Sequence, residues 1–225
     1  MASKSAARKK TAVQSSMIRF GADIEAVRAL PRAKGKRPGV IILHERYGID
    51  QHTKDLTVKL AQAGFVGLAR DLFHRFTGDR KAVLRGEQRV DLTDDGALGG
   101  REWQANELRP TPIEELIAQV TCPVLGVFGE ADHIISVDDV ARFRDCLEKA
   151  KKNYHVRLYR DAPHGWLNDT MPGRYRREAA KDAWSLMMAF LKKSFAGGWD
   201  PGRISWTFES DYSAKYDFTK NVRLE

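Results

Sequence analysis

Between residues 39 and 73 the chain passes through two hydrophobic patterns in turn. GVIILHE, residues 39–45, is a continuous apolar run bounded by glycine, the pattern of a strand covered on both faces. Asp50 then stands where a helix needs a cap, and Leu56, Leu60 and Ala63 recur at helical spacing until Gly64 offers a stop. FVGLARDLF, residues 65–73, reads as a second buried strand, and this strand–helix–strand order implies a parallel crossover. Ahead of it, MIRF and IEAVRAL predict two short edge strands from Ile18 to Leu30, joined through Gly21 and Asp23.

A charged interval comes next, in which DRKAVLRGEQRVDLTDDGAL is helical only in part. The rhythm returns with PTPIEELIAQV, a short helix leading into the strand CPVLGVFGE. Ser136 and Asp139 have the spacing of a capping box, opening a helix with Val140, Phe143, Leu147 and Ala150 on one face. NYHVRLYRD alternates as a strand. A long helix runs from about Arg174, with Ala180, Ala183, Met187, Phe190 and Leu191 inward, until AGG ends it. The aromatic tail WTFESDYSAKYDFTKNVRLE is expected to pack on the body. Strands alternating with helices predict an α/β fold, mostly a parallel sheet with helices on both faces.

Charge and composition narrow the function. Length suits one domain, residues 17–225, preceded by a disordered basic tail, residues 1–16, of sequence MASKSAARKKTAVQSS. The net charge of +8 is carried entirely by residues 1–37, which hold ten Lys or Arg and two acids. The body is therefore neutral and has no protein-wide basic field for phosphates, so no nucleic-acid partner is expected. No apolar run approaches the roughly 18 residues of a membrane span, so no membrane partner is expected either. Two cysteines, Cys122 and Cys146, are too few for a metal finger and fit reduced thiols in a cytoplasmic protein. His44, Glu45, His52 and Asp55 match no zinc-helix spacing, and no metal or cofactor is expected.

Reactive groups in open parallel sheets collect beyond the carboxyl ends of strands. Three such ends carry candidates: His44 with Glu45, Asp132, and His164. An acid followed by a histidine 32 residues later, on consecutive strands, matches the closing half of the order nucleophile–Asp–His in α/β-hydrolases. Each residue also has a plainer reading, Asp132 as a loop or helix cap and His164 as a loop residue between Pro163 and Gly165. Taken together, VIILHERYGI with FVGLARDLF, CPVLGVFGEAD and YRDAPHGWLND resemble the dienelactone hydrolase family over most of residues 38–193. That resemblance implies cleavage of a small ester or lactone by a Cys–His–Asp triad without metal. It assigns Asp132 and His164 as triad acid and base and Glu45 as the glutamate that helps activate the cysteine. It makes the backbone N–H of Arg46 one oxyanion donor.

The nucleophile itself is missing. No G-x-C-x-G or G-x-S-x-G occurs in the chain. Cys122 precedes a strand, Cys146 lies beside the inward face of a helix, and Ser136 is already a helix cap. GALGG, residues 96–100, has neither Ser nor Cys and comes after the polar RVDLTDD instead of an apolar strand. Within the family, sequence like RVDLTDDGAL leads to the nucleophile strand, whereas REWQANELRPTPIEEL resembles the segment beyond a later strand. The expectation is an α/β-hydrolase-like fold lacking about two central β–α units, roughly 60 to 70 residues, between about Ala97 and Gly100. Two functional readings result: an ester or lactone hydrolase by descent with impaired activity, or a catalytically inactive binding or interaction protein.

Overall fold

The computed structural model describes residues 12–21, 24–88, 90, 103–105, 110–200 and 202–211. The chain gathers into two compact units, Met1–Asp91 and Leu92–Glu225. Their boundary falls in the charged interval, where the hydrophobic rhythm fades. GALGG lies outside the described residues, as do residues 1–11 of the basic leader and 212–225 of the aromatic tail.

The first unit holds β1 (Val13–Phe20), β2 (Ile24–Pro31), β3 (Gly39–Leu43), α1 (Gln51–Gln62), β4 (Val66–Arg70) and α2 (Arg80–Leu84). Its sheet runs β1-β2-β4-β3, with β3 and β4 parallel and the other two pairs antiparallel. Residues 13–16, which the sequence reading placed in the disordered tail, are strand: Val13 pairs with Pro31 and Ser16 with Arg28. Gln14, Ser15 and Ser16 are polar and sit on an edge strand, so hydropathy alone hides them.

Asp50 caps α1, accepting the Thr53 amide at 2.8 Å, and Gly64 follows the helix with φ of 100°. The inward face is not the one spacing predicts. Thr53, Thr57, Leu60 and Ala61 are buried, whereas Leu56 and Ala63 are half-buried. Gly67 is the reason, because a Cβ there would lie 2.6 Å from the Thr57 carbonyl oxygen. α1 rides so close to β4 that small side chains fill the seam. The buried Thr57 hydroxyl donates to the Thr53 carbonyl at 2.7 Å, which satisfies it locally.

β3 also departs from expectation. It is the terminal strand of its sheet, and Ile41 and Leu43 are 68% and 71% exposed instead of covered on both faces. Ile42, on the opposite face, is buried. A short edge strand with apolar side chains and no charge is a template for pairing between chains. Replacing Ile41 and Leu43 by lysine should therefore reduce association. Light scattering is expected to show the parent's apparent mass rising with concentration and the variant's staying constant; equal behaviour would contradict an exposed edge.

The second unit holds α3 (Ile113–Ala118), β5 (Val124–Gly129), α4 (Val137–Lys149), β6 (Tyr154–Tyr159), α5 (Arg177–Phe195) and β7 (Trp206–Ser210). All strands are parallel, in the order β5-β6-β7. Tyr154, Val156 and Leu158 of β6 pack with Trp103, Ile113, Ile117, Val140 and Leu147, while Tyr159 packs with Trp166, Ala180 and Ala183. Helices thus cover both faces of this sheet. Residues 206–210 join it as a strand parallel to β6, where the sequence suggested only a packed tail.

Asp139 ties α4 to Trp103. The Ser136–Asp139 capping box is present, and the Trp103 indole N–H donates to Asp139 Oδ1 at 3.1 Å. Burial pushes the Asp139 carboxyl up, but hydrogen bonds from Ser136 and Trp103 and the Arg142 charge outweigh it, leaving the pKa lowered. A lowered folded pKa means stability present above the usual carboxylate range and lost as pH falls through the folded value. Asp139→Ala removes the side-chain half of the capping box, the acceptor for the Ser136 amide, and leaves a buried indole N–H unpaired, a loss of about 2 kcal/mol. Urea unfolding at neutral pH should show that loss, and the gap from the parent should close as the solution is acidified.

Candidate active site

β5 and β6 lie side by side, with Gly129 opposite Tyr159, so the loops beyond them leave the same end of the sheet. The loops meet through backbone: the Glu130 amide donates to the Tyr159 carbonyl at 3.0 Å and the Ala131 amide to the Ala162 carbonyl at 3.2 Å. A Cβ at Gly129 would stand 2.0 Å from the Ala162 carbonyl oxygen. Only glycine permits this approach, which sets Asp132 beside His164.

The Asp132 carboxylate divides its two oxygens. Oδ1 accepts the Ile134 and Ile135 amides at 2.8 and 3.0 Å, and Oδ2 lies 3.1 Å from His164 Nδ1. Loop-ordering and imidazole-orienting roles therefore coexist in one residue. An ionised carboxylate only accepts, so Nδ1 carries the hydrogen, and in the neutral ring Nε2 keeps its lone pair. Asp132 is 9% exposed and His164 38%, which leaves the imidazole open to solvent while its acid is enclosed. The His133 ring stands nearly perpendicular to it at 6.1 Å. Among the described residues no hydrogen bond joins His164 to a serine or cysteine.

The three sequence candidates for a nucleophile fall elsewhere. Cys122 is exposed on the segment entering β5, at the amino end of the sheet. Cys146 packs against the core from α4, and burial, with Glu114 adding, pushes its thiol pKa up and away from the reactive thiolate. The Ser136 hydroxyl donates to Asp139 Oδ2 at 2.7 Å and accepts the Asp139 amide at 3.1 Å.

In the first unit, His44 is a structural lock. The Leu72 amide donates to its Nε2 at 2.9 Å, so the hydrogen sits on Nδ1, which donates to the Glu45 carbonyl at 2.8 Å. Neither nitrogen has a lone pair left for a metal. Asp71, 3.8 Å from Nε2, forms no ion pair with this neutral ring. The ring also packs edge-on to Phe73 at 4.6 Å. Asp71 is buried, accepts the Phe73 amide at 2.9 Å, and is bridged by Arg80, which also donates to the Phe73 carbonyl.

Glu45 and Arg46 come after β3 on an exposed turn closed by the Gly48 amide donating to the Glu45 carbonyl at 3.0 Å. Gly48 has φ of 77° and packs on Phe73, so the turn needs glycine. The Arg46 guanidinium lies 4.9 Å from the Tyr47 ring centre, and its amide has no hydrogen-bond partner among the described residues. Beside this turn a cavity of about 310 Å³ is lined by Tyr47, Gly48, Phe73, Phe76, Arg80 and Val83, among others. The structure brings Asp132 and His164 together in the second unit; Glu45 and Arg46 lie in the first. The sequence reading did not single out the His44 lock or the Arg80 bridge, whose only signal is an Asp-Leu-Phe run after a buried strand.

A sequence profile described as "Dienelactone hydrolase family" matches the chain in two stretches, residues 24–108 and 99–195. A carboxymethylenebutenolidase-type protein of Methylorubrum extorquens is 24% identical over 225 positions, covering 76% of this chain and 77% of its own. Protein usf of Aquifex pyrophilus is 22% identical over 228 positions, covering 79% of this chain and 97% of its own. Among solved structures, the chain is similar to a dienelactone hydrolase-type protein of Klebsiella pneumoniae, with TM-score 0.66 and 22% identity over 79% of this chain and 98% of that one. It is also similar to the dienelactone hydrolase-like phosphotriesterase P91 from metagenomic libraries, with TM-score 0.59 and 17% identity over 82% and 99%. These likenesses show an α/β-hydrolase type of fold.

Proposed function

The chain belongs to the dienelactone hydrolase family, and from that premise we propose that Asp132 and His164 are the acid and base of an ester- or lactone-hydrolysing relay that lacks its nucleophile. The observation that carries this reading is the 3.1 Å contact from His164 Nδ1 to an aspartate oxygen whose twin is held by two amides. In a complete relay His164 Nε2 takes the proton of the attacking thiol and returns it to the departing alkoxide. Asp132 holds the Nδ1 hydrogen and steadies the imidazolium. Glu45 helps activate the thiol, and the Arg46 amide donates to the oxyanion, a role supported by its lack of another partner among the described residues.

Three observations favour the loss of a central block near residues 97–100. The family profile matches in two stretches that meet at residues 99–108. An alignment of 228 positions that uses 79% of a 225-residue chain leaves about a fifth of its positions empty on this side. The two strands that the block would separate, β3 and β5, are each terminal in their own sheet. The absent part would hold the nucleophile turn and the second oxyanion donor.

Intact mass after exposure to an activated ester tests the reading. A working relay traps an acyl group on sulfur or oxygen; here no adduct is expected. A stoichiometric adduct on one Cys or Ser that His164→Ala abolishes would overturn it. Sequencing the transcript across codons 95–102 shows whether longer products carry the block.

A further inference from the structure

The amino end of the second unit's sheet, opposite the rim that carries Asp132 and His164, gathers charge and exposed aromatic surface of a kind that the relay does not use. Residues 149–153 and 192–206 contain six Lys or Arg and one acid, Asp200, in a body whose charges sum to zero beyond residue 37, so these two segments hold an excess of cations that acids elsewhere balance. Hydrogen bonds join the two segments: the Ser205 amide donates to Asn153 Oδ1 at 2.7 Å, the Tyr154 amide to the Ser205 carbonyl at 3.0 Å, and the Trp206 indole N–H to the Lys152 carbonyl at 2.9 Å. Trp206 stacks nearly parallel to Tyr154 yet is 46% exposed, and Ile204 is 47% exposed. Lys193 lies 3.7 Å from the centre of the Trp199 ring. Trp199, Arg203, Ile204 and Trp206 rim an open hollow of about 530 Å³.

We propose that this face docks on an anionic membrane surface. Exposed indole and isoleucine side chains flanked by cations, with almost no acid among them, match an interface that is apolar beneath and negative above. A spanning segment is not needed: no helix among the described residues is long and apolar enough to cross a membrane, and docking uses surface side chains alone. The expectation of no membrane partner rested only on the lack of such a span. Trp206 is held at a fixed angle by its stack and hydrogen bond, so little side-chain freedom is lost on contact. Parallel strands put this face at one end of the unit and the acid–base rim at the other, so docking leaves His164 open to water.

Sedimentation of the full chain with vesicles tests the proposal, with a protein-only tube setting the background. Binding is expected to vesicles of mixed phosphatidylcholine and phosphatidylserine, to be weak to phosphatidylcholine alone, and to fall with added salt. Lys152→Glu with Arg203→Glu should weaken it by more than tenfold, at about fivefold for each cation lost. Ile204→Ser should weaken it several-fold without changing net charge, and circular dichroism should show all variants folded. Absence of binding to the mixed vesicles would overturn the proposal. Equal binding by parent and variants would also overturn it, assigning the interaction to the basic leader. Concentration-dependent dimerisation abolished by Ile204→Ser would give the face to a second copy instead and likewise overturn it.

Discussion

A chain in which a strand–Gly-x-Cys-x-Gly–helix block is restored between Ala97 and Gly100 is expected to hydrolyse a small activated ester several orders of magnitude faster than the chain as it stands. Loss of a nucleophile alone removes up to about a millionfold of turnover, because the members of a relay act as a unit. On the proposed reading Asp132 and His164 need no rebuilding, since they are already in contact at 3.1 Å. His164→Ala in the restored chain should erase the gain, and Asp132→Ala most of it. A restored chain that folds, yet gains nothing that His164 controls, would remove these two residues from catalysis.

Arg80→Met is expected to destabilise the first unit by about 3 kcal/mol, seen as an earlier midpoint in urea. The substitution leaves Asp71 buried with its charge no longer compensated, a loss in the range of about 3 to 5 kcal/mol. The lower end applies because the Arg80 side chain is 43% exposed and water can replace part of its contact. The Phe73 carbonyl loses its Arg80 donor as well. Adding Asp71→Asn to Arg80→Met should recover part of the loss, because the side chain remains an acceptor for the Phe73 amide without a buried charge. A double variant no more stable than the single would show that packing, not charge, dominates there.

How much the sequence reveals depends on how local the cause is. The apolar runs of β4 and β5, the Asp50 cap and the Ser136–Asp139 box are read from neighbouring residues, and each is found where predicted. The pairing of Asp132 with His164 was legible because consecutive parallel strands send their loops to the same end of a sheet. Its enabling detail, Gly129 beneath the Ala162 carbonyl, was not. α1 turned a threonine face inward because of Gly67, a strand residue whose closeness to the helix no spacing rule contains. Ile41 and Leu43 read as core, and they are exposed because they lie on the opposite face of β3 from the buried Ile42, a difference between faces that a continuous apolar run does not show. β7 escaped notice because five residues of mixed polarity become a strand only when β6 offers its edge. His44 and Leu72 are linked through strand register across 28 residues, which hydropathy cannot supply.

On the proposed reading, Asp132 and His164 persist as acid and base without the group they serve. Steady-state hydrolysis of a small activated ester by the parent chain and by His164→Ala, compared with the uncatalysed rate, tests it most directly. The expected result is that both stay at background and cannot be told apart. Substantial turnover by the parent that His164→Ala abolishes would contradict it.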